Sequence, residues 1–335
     1  MEDFTAHNLE ALAVERGLVF PRYLLAEVVA ALRAGKHVML TGPPGTGKTS
    51  LAYLTAELAR SAVLCTGCLA VTASSDWSVD ETIGHYAVTP EGPVFRSGFF
   101  LQAIQTGEWL VIDELNRADL DRAFGPLFTV LANQPVILPY TQVGHTNPIA
   151  IVPSAIEAPE NTDAIRIPKS WRIIATMNEF DKASLHKLSY ALLRRFAYIE
   201  VEAPPDDIIR SLIAEHGSIV ADLLVLRRFV DLGPALFLDA ARYAEERGRD
   251  GGATRSRILF EVFYSYFLPQ LDRLDDHQAR DLFELVSPLL DAPEIVTLRR
   301  SIRRVLGSGA PAARDSSPGE PLRAVPSDEG MRRGA

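Results

Sequence analysis

The feature of this sequence that most constrains its fold is the stretch HVMLTGPPGTGKTSLAYLTAELA at residues 37–59. A short apolar run at 37–41 predicts a β-strand, a glycine-rich loop follows it, and the residues after the loop have apolar side chains at helical spacing. Residues 42–49 match the pattern G-x-x-x-x-G-K-[ST], which between a strand and a helix is typical of a phosphate-binding loop. The stretch therefore predicts an α/β protein that binds a nucleotide.

Each fixed residue of this loop has a physical role. The glycines let backbone N–H groups turn toward phosphate oxygens. Lys48 neutralises the charge of the β- and γ-phosphates, and the hydroxyl of Thr49 is a ligand for magnesium. The residues predicted here to bind the nucleotide are Gly42, Pro43, Pro44, Gly45, Thr46, Gly47, Lys48, Thr49 and Ser50.

A nucleotide site also needs an acidic element on a neighbouring strand, and WLVIDE at 109–114 supplies it. Its four apolar residues predict a buried strand, and Asp113 at the carboxyl end is expected to hold magnesium together with Thr49. Glu114 follows at the strand exit, where it can reach the attacking water as a general base. Asn178, after the apolar run RIIAT, can bind the γ-phosphate and the same water, although Asn is also a common turn residue.

Apolar runs at 69–73, 108–112 and 172–176 predict further strands, with helical patterns between them. This alternation predicts a three-layer α/β core with a largely parallel sheet. Two segments exceed such a core: 85–98 has the pattern of a β-hairpin, and 133–170 is too long for an ordinary connection. We expect both to be insertions with a surface function, and loops without a function are the alternative.

The chain divides at two adjacent prolines, Pro204 and Pro205, which interrupt regular structure. Helical apolar patterns predominate after them. The sequence thus predicts a nucleotide-binding core over 1–204, a smaller all-helical domain over 205–307 and a tail at 308–335. The tail is rich in Pro, Gly, Ser and charge and is almost free of large apolar side chains, so we expect it to be disordered.

Composition limits the function classes. The chain has 43 Asp and Glu against 34 Lys and Arg, so it offers no general electrostatic attraction for nucleic acid, and only a local basic patch could supply one. It has neither a signal-peptide pattern nor an apolar run that could cross a bilayer, which predicts a cytoplasmic protein without membrane contact. Cys65 and Cys68 form a CTGC pair, which fits a redox or metal site. The lack of a matching second pair favours two half-buried thiols in a reducing cell.

These motifs together resemble those of the AAA+ ATPases, and more narrowly the branch that contains MoxR, McrB and dynein-related proteins. The resemblance covers about residues 20–300. GPPGTGKT resembles the Walker A motif, VIDELNRA the Walker B motif with the Asn-Arg extension of this branch, and TMN sensor 1. FGPLFTVL and YFLPQL also resemble segments of the branch. The resemblance implies that the two insertions are the hairpins that such proteins carry within the second helix and before sensor 1.

The same resemblance implies roles for arginines outside the loop. In these families an arginine before an apolar Phe projects into the nucleotide site of the next subunit and stabilises charge on the γ-phosphoryl group. Arg194 and Arg195 in ALLRRFAY occupy that place, and the sequence leaves the choice between them open. GGATR resembles the sensor 2 segment, in which Arg255, or alternatively Arg257, reaches over the nucleotide of its own subunit.

The resemblance implies a magnesium-dependent ATPase that works as a homo-oligomeric ring, with a hexamer as the expected size, and remodels a partner protein. GTP in place of ATP stays open. One alternative is the motor subunit of a McrB-like DNA restriction system, which would reach nucleic acid only through a partner. The phosphate loop begins by residue 42, which leaves little room for a DNA-reading domain before it. The other is a nucleotide-gated scaffold with little turnover, against which the intact Asp113–Glu114 pair argues.

Overall fold

A five-stranded parallel sheet forms the centre of the fold. The computed structural model describes residues 2–90, 92–178, 194–216 and 218–306. The strands of the sheet are β1 (His37–Gly42), β2 (Cys68–Thr72), β5 (Trp109–Asp113), β9 (Ile173–Asn178) and β10 (Phe196–Glu200), numbered along the chain. They lie in the order β10, β1, β9, β5, β2, and every neighbouring pair is parallel. The α/β fold class predicted from the sequence is confirmed.

Helices cover both faces of this sheet, so the core has three layers. One face packs against α1 (Ala6–Glu15), α2 (Arg22–Arg33) and α3 (Lys48–Ser61), and the other against α4 (Val79–Thr82), α5 (Phe99–Thr106) and α6 (Leu120–Leu131). Along β1, Val38 and Leu40 belong to the first of these hydrophobic clusters and Met39 to the second, because successive side chains of a strand point to opposite faces. Burial on both faces explains why the central strands are continuous apolar runs.

The strand register brings the predicted site residues to one edge of the sheet. Gly42, at the end of β1, lies opposite Asn178 at the end of β9. Thr72, at the end of β2, lies opposite Asp113 at the end of β5. Because all five strands are parallel, their carboxyl ends form a single edge, where ligands bind in open α/β sheets.

Two small sheets lie outside this core and contact each other. They are an antiparallel hairpin of β3 (Gly84–Thr89) and β4 (Gly92–Ser97), and a three-stranded sheet of β6 (Val136–Thr141), β7 (Pro148–Pro153) and β8 (Asp163–Ile167). The Phe95 ring stacks on Tyr140 with 4.7 Å between centroids, and the Tyr86 hydroxyl accepts a hydrogen bond from the Thr141 N–H at 2.9 Å. The two segments predicted to be insertions contain these sheets, which therefore form one packed unit.

The described chain from Asp206 to Leu306 is mainly helical. Its helices are α7 (Asp206–Ile213), α8 (Pro234–Arg249), α9 (Arg255–Val262), α10 (Asp276–Val286) and α11 (Ala292–Leu306), with shorter helical segments at Ala214–His216, Ser218–Arg228, Phe263–Phe267, Leu268–Leu271 and Ser287–Leu289. They enclose a hydrophobic cluster of their own, in which Phe237, Phe263 and Phe267 are fully buried. The predicted tail at 308–335 lies outside the described residues.

Two features of the described residues bear on the function classes. No helix among them combines the length and the apolar character needed to span a membrane. Cys65 and Cys68 are free, half-buried thiols, and burial raises the pKa of each. Within the described ranges no three His, Cys, Asp or Glu side chains are grouped to hold a metal, so nothing there extends the CTGC pair into a zinc site.

Candidate active site

The phosphate loop connects the end of β1 to the start of α3. Gly45 and Gly47 have φ of +76° and +88°, a left-handed backbone that glycine adopts readily. Lys48 is 6% exposed, and its Nζ donates hydrogen bonds to the carbonyls of Gly42 at 2.9 Å and Pro43 at 2.6 Å. The ammonium group is therefore held inside the loop. The other loop residues predicted to bind phosphate lie in the same turn or in the first turn of α3: Pro44, Thr46, Thr49 and Ser50.

Asp113 lies at the end of β5, beside this loop. Its Oδ1 accepts hydrogen bonds from the hydroxyl of Thr49 at 2.7 Å and from the hydroxyl of Thr176 at 2.5 Å. The two residues predicted to hold magnesium, Asp113 and Thr49, are thus in direct contact. Hard oxygen donors of this kind are the ligands that magnesium prefers, so the pair fits a magnesium site at this edge of the sheet.

Glu114 has an unusual backbone for a residue with a side chain. Its φ is +56°, in the left-handed region, which costs about 1–2 kcal/mol outside glycine and persists only where the surroundings hold it. Two contacts do so: the Glu114 N–H donates to the Thr176 hydroxyl at 3.0 Å, and the Nδ2 of Asn178 donates to Glu114 Oε1 at 2.5 Å. The predicted base and the predicted water-positioning amide are therefore paired in this structure.

Thr176 is a residue of the site that the sequence argument missed. It is 1% exposed, and its single hydroxyl donates to Asp113 while accepting from the Glu114 backbone. The hydroxyl therefore links Asp113, predicted to hold magnesium, to Glu114, the predicted base. The available signal was a hydroxyl side chain in the otherwise apolar run RIIAT, two residues before Asn178.

The helical domain touches the phosphate loop at Gly233, which caps the N-terminus of α8. A Cβ at Gly233 would lie 2.2 Å from the carbonyl carbon and oxygen of Gly45 and 2.7 Å from the nitrogen of Thr46. The next contact is a hydrogen bond from the Ala235 N–H to the Gly45 carbonyl at 3.4 Å. Only glycine permits so close an approach of two backbones. The sequence argument missed this contact as well.

Comparison with known proteins agrees with this geometry. Residues 37–196 match the family of AAA domains of the dynein-related subfamily. This part of the chain is an AAA domain of that subfamily. The match runs from the first residue of β1 to the first residue of β10, so it includes the phosphate loop, Asp113, Glu114 and Asn178. AAA domains in general bind and hydrolyse nucleoside triphosphates.

Two curated proteins illustrate the likeness. The Type IV methyl-directed restriction enzyme EcoKMcrB subunit of Escherichia coli (strain K12) is 29% identical over 199 residues, which are 55% of this chain and 39% of that protein. The uncharacterized protein YojN of Bacillus subtilis (strain 168) is 25% identical over 221 residues, 65% of this chain and 64% of that protein. The chain therefore spans less than two thirds of either relative. Among solved structures, NtrX from Brucella abortus has a TM-score of 0.48 at 15% identity, covering 87% of this chain and 64% of that chain.

Arg194 and Arg195 lie at the opposite edge of the AAA domain's sheet from the phosphate loop. The His37 N–H, at the start of β1, donates to the Arg195 carbonyl at 3.0 Å, and Lys36 Nζ donates to the Arg194 carbonyl at 2.8 Å. Arg194 is exposed, whereas Arg195 is half-buried and its Nε has no hydrogen-bond partner among the described residues. Burial, followed by the positive charges of Arg172, Arg195 and Lys36, lowers the pKa of His37 to about 3, so this imidazole is neutral.

The two arginines proposed for sensor 2 are engaged within the helical domain. Arg255 forms an ion pair with Asp222 and is more than half exposed. The Nε of Arg257 donates to Glu261 at 2.8 Å. Both arginines thus form ion pairs with carboxylates of the helical region, while Gly233 makes the contact with the phosphate loop.

Proposed function

We propose that this AAA domain hydrolyses ATP with magnesium, that identical subunits form a ring, and that the ring remodels a partner protein. The observation that carries the proposal is the hydrogen-bond network at the carboxyl edge of the sheet. It joins Thr49, Asp113 and Thr176 on one side and Glu114 and Asn178 on the other. A phosphate loop, a pair of magnesium ligands and a general base are therefore supplied by one chain.

Lys48 and the loop amides are assigned to binding the phosphates. The Lys48 ammonium is already buried and held by two carbonyl oxygens, which phosphate oxygens would replace as its partners. Magnesium held by Thr49 and Asp113 would neutralise part of the phosphate charge. The left-handed glycines leave the backbone N–H groups of the loop free of side-chain obstruction.

Glu114 is assigned as the general base. Its carboxylate is oriented by the Asn178 amide, and its backbone by the Thr176 hydroxyl. We assign to Asn178 the orientation of both Glu114 and the attacking water. The water proton then passes to the Glu114 carboxylate as the water oxygen bonds to the γ-phosphorus, and the bond from that phosphorus to the β–γ bridging oxygen breaks, so that ADP and inorganic phosphate leave.

The ring assignment rests on Arg194. Five residue steps of β1, about 17 Å of extended chain at about 3.3 Å per residue, separate His37, which bonds to the adjacent Arg195, from the end of the strand at Gly42. An arginine at that edge is badly placed for its own phosphate loop and well placed to act on a neighbouring subunit. Arg194 is preferred over Arg195 because its side chain is exposed, whereas Arg195 is half-buried beside His37.

The partner assignment rests on the two small sheets. Val88 on β3 is 92% exposed, Ile137 on β6 is 55% exposed, and Val143, between β6 and β7, is 67% exposed. Exposed apolar side chains that lie together form protein contact surfaces, and these three belong to one packed unit. We propose that this unit is where a partner is engaged.

As a second candidate function, we propose that the chain is the motor subunit of a restriction system and hydrolyses GTP or ATP. The similarity to the McrB subunit over 199 residues favours it. The two candidates differ in their partner and in the nucleotide, ATP or GTP, that they hydrolyse. Both use the same phosphate site. Turnover measured separately with ATP and GTP, with and without DNA, would distinguish them.

The proposed hydrolysis is tested by separating binding from turnover. Lys48→Ala should abolish nucleotide binding, while Glu114→Gln should bind ATP normally and release no phosphate, because the amide cannot accept the water proton. Phosphate release above the level of Asp113→Ala distinguishes an ATPase from a nucleotide-gated scaffold. Near-normal turnover in Glu114→Gln would remove Glu114 as the base.

A further inference from the structure

A cavity of about 620 Å³ lies at the amino edge of the sheet, away from the phosphate loop. Its wall includes His37 and Trp109, which begin β1 and β5, and Arg172, which precedes β9. The segments at 153–156 and 167–172, before and after β8, form the rest of its rim together with the end of α2. We call it the foot cavity. None of the proposed catalytic or nucleotide-binding residues lines it.

The charge of the foot cavity is one-sided. Arg33, Lys169 and Arg172 line it, and none of the described lining residues is Asp or Glu. This contrasts with the whole chain, in which acidic residues outnumber basic ones by 43 to 34. The low pKa of His37, caused by burial and then by nearby cations, is in keeping with a positive potential there. An anion is therefore the complementary ligand.

Arg172 is a half-buried cation in this wall. It donates hydrogen bonds to the carbonyls of Leu32 at 3.0 Å and of Lys169 and Trp171 at 2.8 Å each. Burial lowers its pKa, and among the described residues no carboxylate lies within ion-pair distance of it. These carbonyls fix the guanidinium in place but leave its charge uncompensated.

The wall also contains a polar group without a partner. Trp171 is 3% exposed, and its Nε1 has no hydrogen-bond acceptor among the described residues. The other indole of the wall is satisfied, since Trp109 Nε1 donates to the Ser170 carbonyl at 2.9 Å. An unpaired buried N–H is costly and uncommon, so the wall of the foot cavity contains more hydrogen-bond donors than acceptors.

We propose that the foot cavity binds a small organic anion whose charged group faces Arg33, Lys169 and Arg172. Its apolar body lies against the partly exposed side chains of Leu64, Ile156 and Ile167. The volume is within the range of small-molecule sites, and the wall combines apolar side chains with a few polar groups, as such sites do. The site differs in place and in composition from the phosphate loop, so occupancy of the two should be independent.

The test uses 8-anilinonaphthalene-1-sulfonate, an aromatic anion whose fluorescence rises in apolar surroundings. Two of the three tryptophans, Trp109 and Trp171, line the foot cavity. In the full chain carrying Trp77→Phe, energy transfer from these two to the dye reports binding at this site. Transfer should saturate and should persist with saturating Mg–ADP.

Charge variants then test the assignment. Arg33→Gln with Lys169→Gln should weaken dye binding by about tenfold, the product of two partly exposed charges worth about threefold each. Arg242→Gln with Arg249→Gln, a matched pair of exposed arginines on α8, should leave binding unchanged. Ala155→Phe, on the exposed rim, adds no tryptophan donor and should narrow the cavity and weaken transfer without relying on charge.

Three outcomes would overturn the proposal. They are equal dye affinity in all of these variants, loss of the dye on addition of Mg–ADP, and equal binding of N-phenyl-1-naphthylamine, a neutral analogue without the sulfonate. The last would show an apolar cavity without anion preference. None of these outcomes depends on ATP hydrolysis, so the proposed function and this site can fail separately.

Discussion

Replacing Thr176 by Val is the sharpest test of the network at the carboxyl edge. Val keeps the shape of the side chain but removes the hydroxyl that donates to Asp113 at 2.5 Å and accepts from the Glu114 N–H at 3.0 Å. A hydrogen bond to a charged group contributes about 1.5–3 kcal/mol, and leaving a buried N–H unpaired costs about 1–3 kcal/mol. Allowing for solvation of the exposed part of the site, we expect Thr176→Val to lower the free energy of unfolding by about 2–4 kcal/mol.

The same substitution should reduce turnover more than binding. Without the hydroxyl, the left-handed Glu114 keeps only the Asn178 contact of the two that hold it, and displacement of a catalytic group by about 1 Å can cost about a hundredfold in rate. We expect kcat to fall at least tenfold with nucleotide affinity little changed. Denaturant unfolding of the nucleotide-free protein, phosphate release and hydrogen exchange at the Glu114 amide measure the three effects.

Thr176→Ser is the matched control. It keeps the hydroxyl and loses one buried methyl group. We therefore expect the free energy of unfolding to fall by about 1 kcal/mol and turnover to stay within about threefold of the wild type. Suppose that the free energy of unfolding of Thr176→Val lay within about 0.5 kcal/mol of the wild-type value and that its turnover rate were unchanged. The hydroxyl would then not be the link between Asp113 and Glu114.

Two further predictions follow from contacts outside this network. Gly233→Ala should destabilise the chain by about 1–3 kcal/mol and weaken nucleotide binding, because its Cβ would meet the Gly45 backbone at 2.2 Å. Gly248→Ala, on the same helix, is the control, because its Cβ would meet nothing within 4 Å and should stabilise the chain slightly. Equal effects of the two substitutions in unfolding and nucleotide titrations would show that the Gly233–Gly45 contact does not matter. Because the pKa of His37 is lowered to about 3, the unfolded state binds one more proton than the folded state between about pH 3 and 6.5. The free energy of unfolding should therefore rise with pH across that window, by about 1.4 kcal/mol per pH unit more steeply in the wild type than in His37→Gln, and parallel unfolding profiles would contradict a neutral His37.

The strands of the core were predictable because each is an apolar run with a clear boundary. The expected strands at 37–41 and 108–112 are observed as His37–Gly42 and Trp109–Asp113, within one residue at each end. The strand Phe196–Glu200 was not predicted, since FAYIE is short and follows two arginines. Nor could the sequence order the strands in the sheet, because pairing between distant segments leaves no local pattern.

The site was predictable to the extent that its chemistry is local. Lys48, Thr49, Asp113 and Glu114 are identified by residue type next to a strand end or a glycine-rich loop. Thr176 and Gly233 were missed because their roles depend on what the fold places beside them: the Asp113 carboxylate in one case and the Gly45 backbone in the other. Exposure, which separates Arg194 from Arg195, is likewise a property of the packed chain.

The central claim is that each active site is completed by an arginine from a neighbouring subunit. Arg194→Ala should leave nucleotide affinity largely intact and lower turnover by about a thousandfold or more, the scale of an arginine finger. Arg195→Ala should have a smaller effect on turnover and a larger one on stability, since that side chain is half-buried. A local change in structure could also lower turnover in either variant. An experiment that mixes subunits separates the two causes.

The most direct measurement is phosphate release by mixed subunits of Glu114→Gln and Arg194→Ala. The first has an inactive site and an intact finger, and the second has an intact site and no finger. In a random equal mixture about one interface in four pairs an intact site with an intact finger, so activity should reach about a quarter of the wild-type value although each parent is inactive. A mixture no more active than its parents, with co-assembly verified by light scattering, would contradict the shared site.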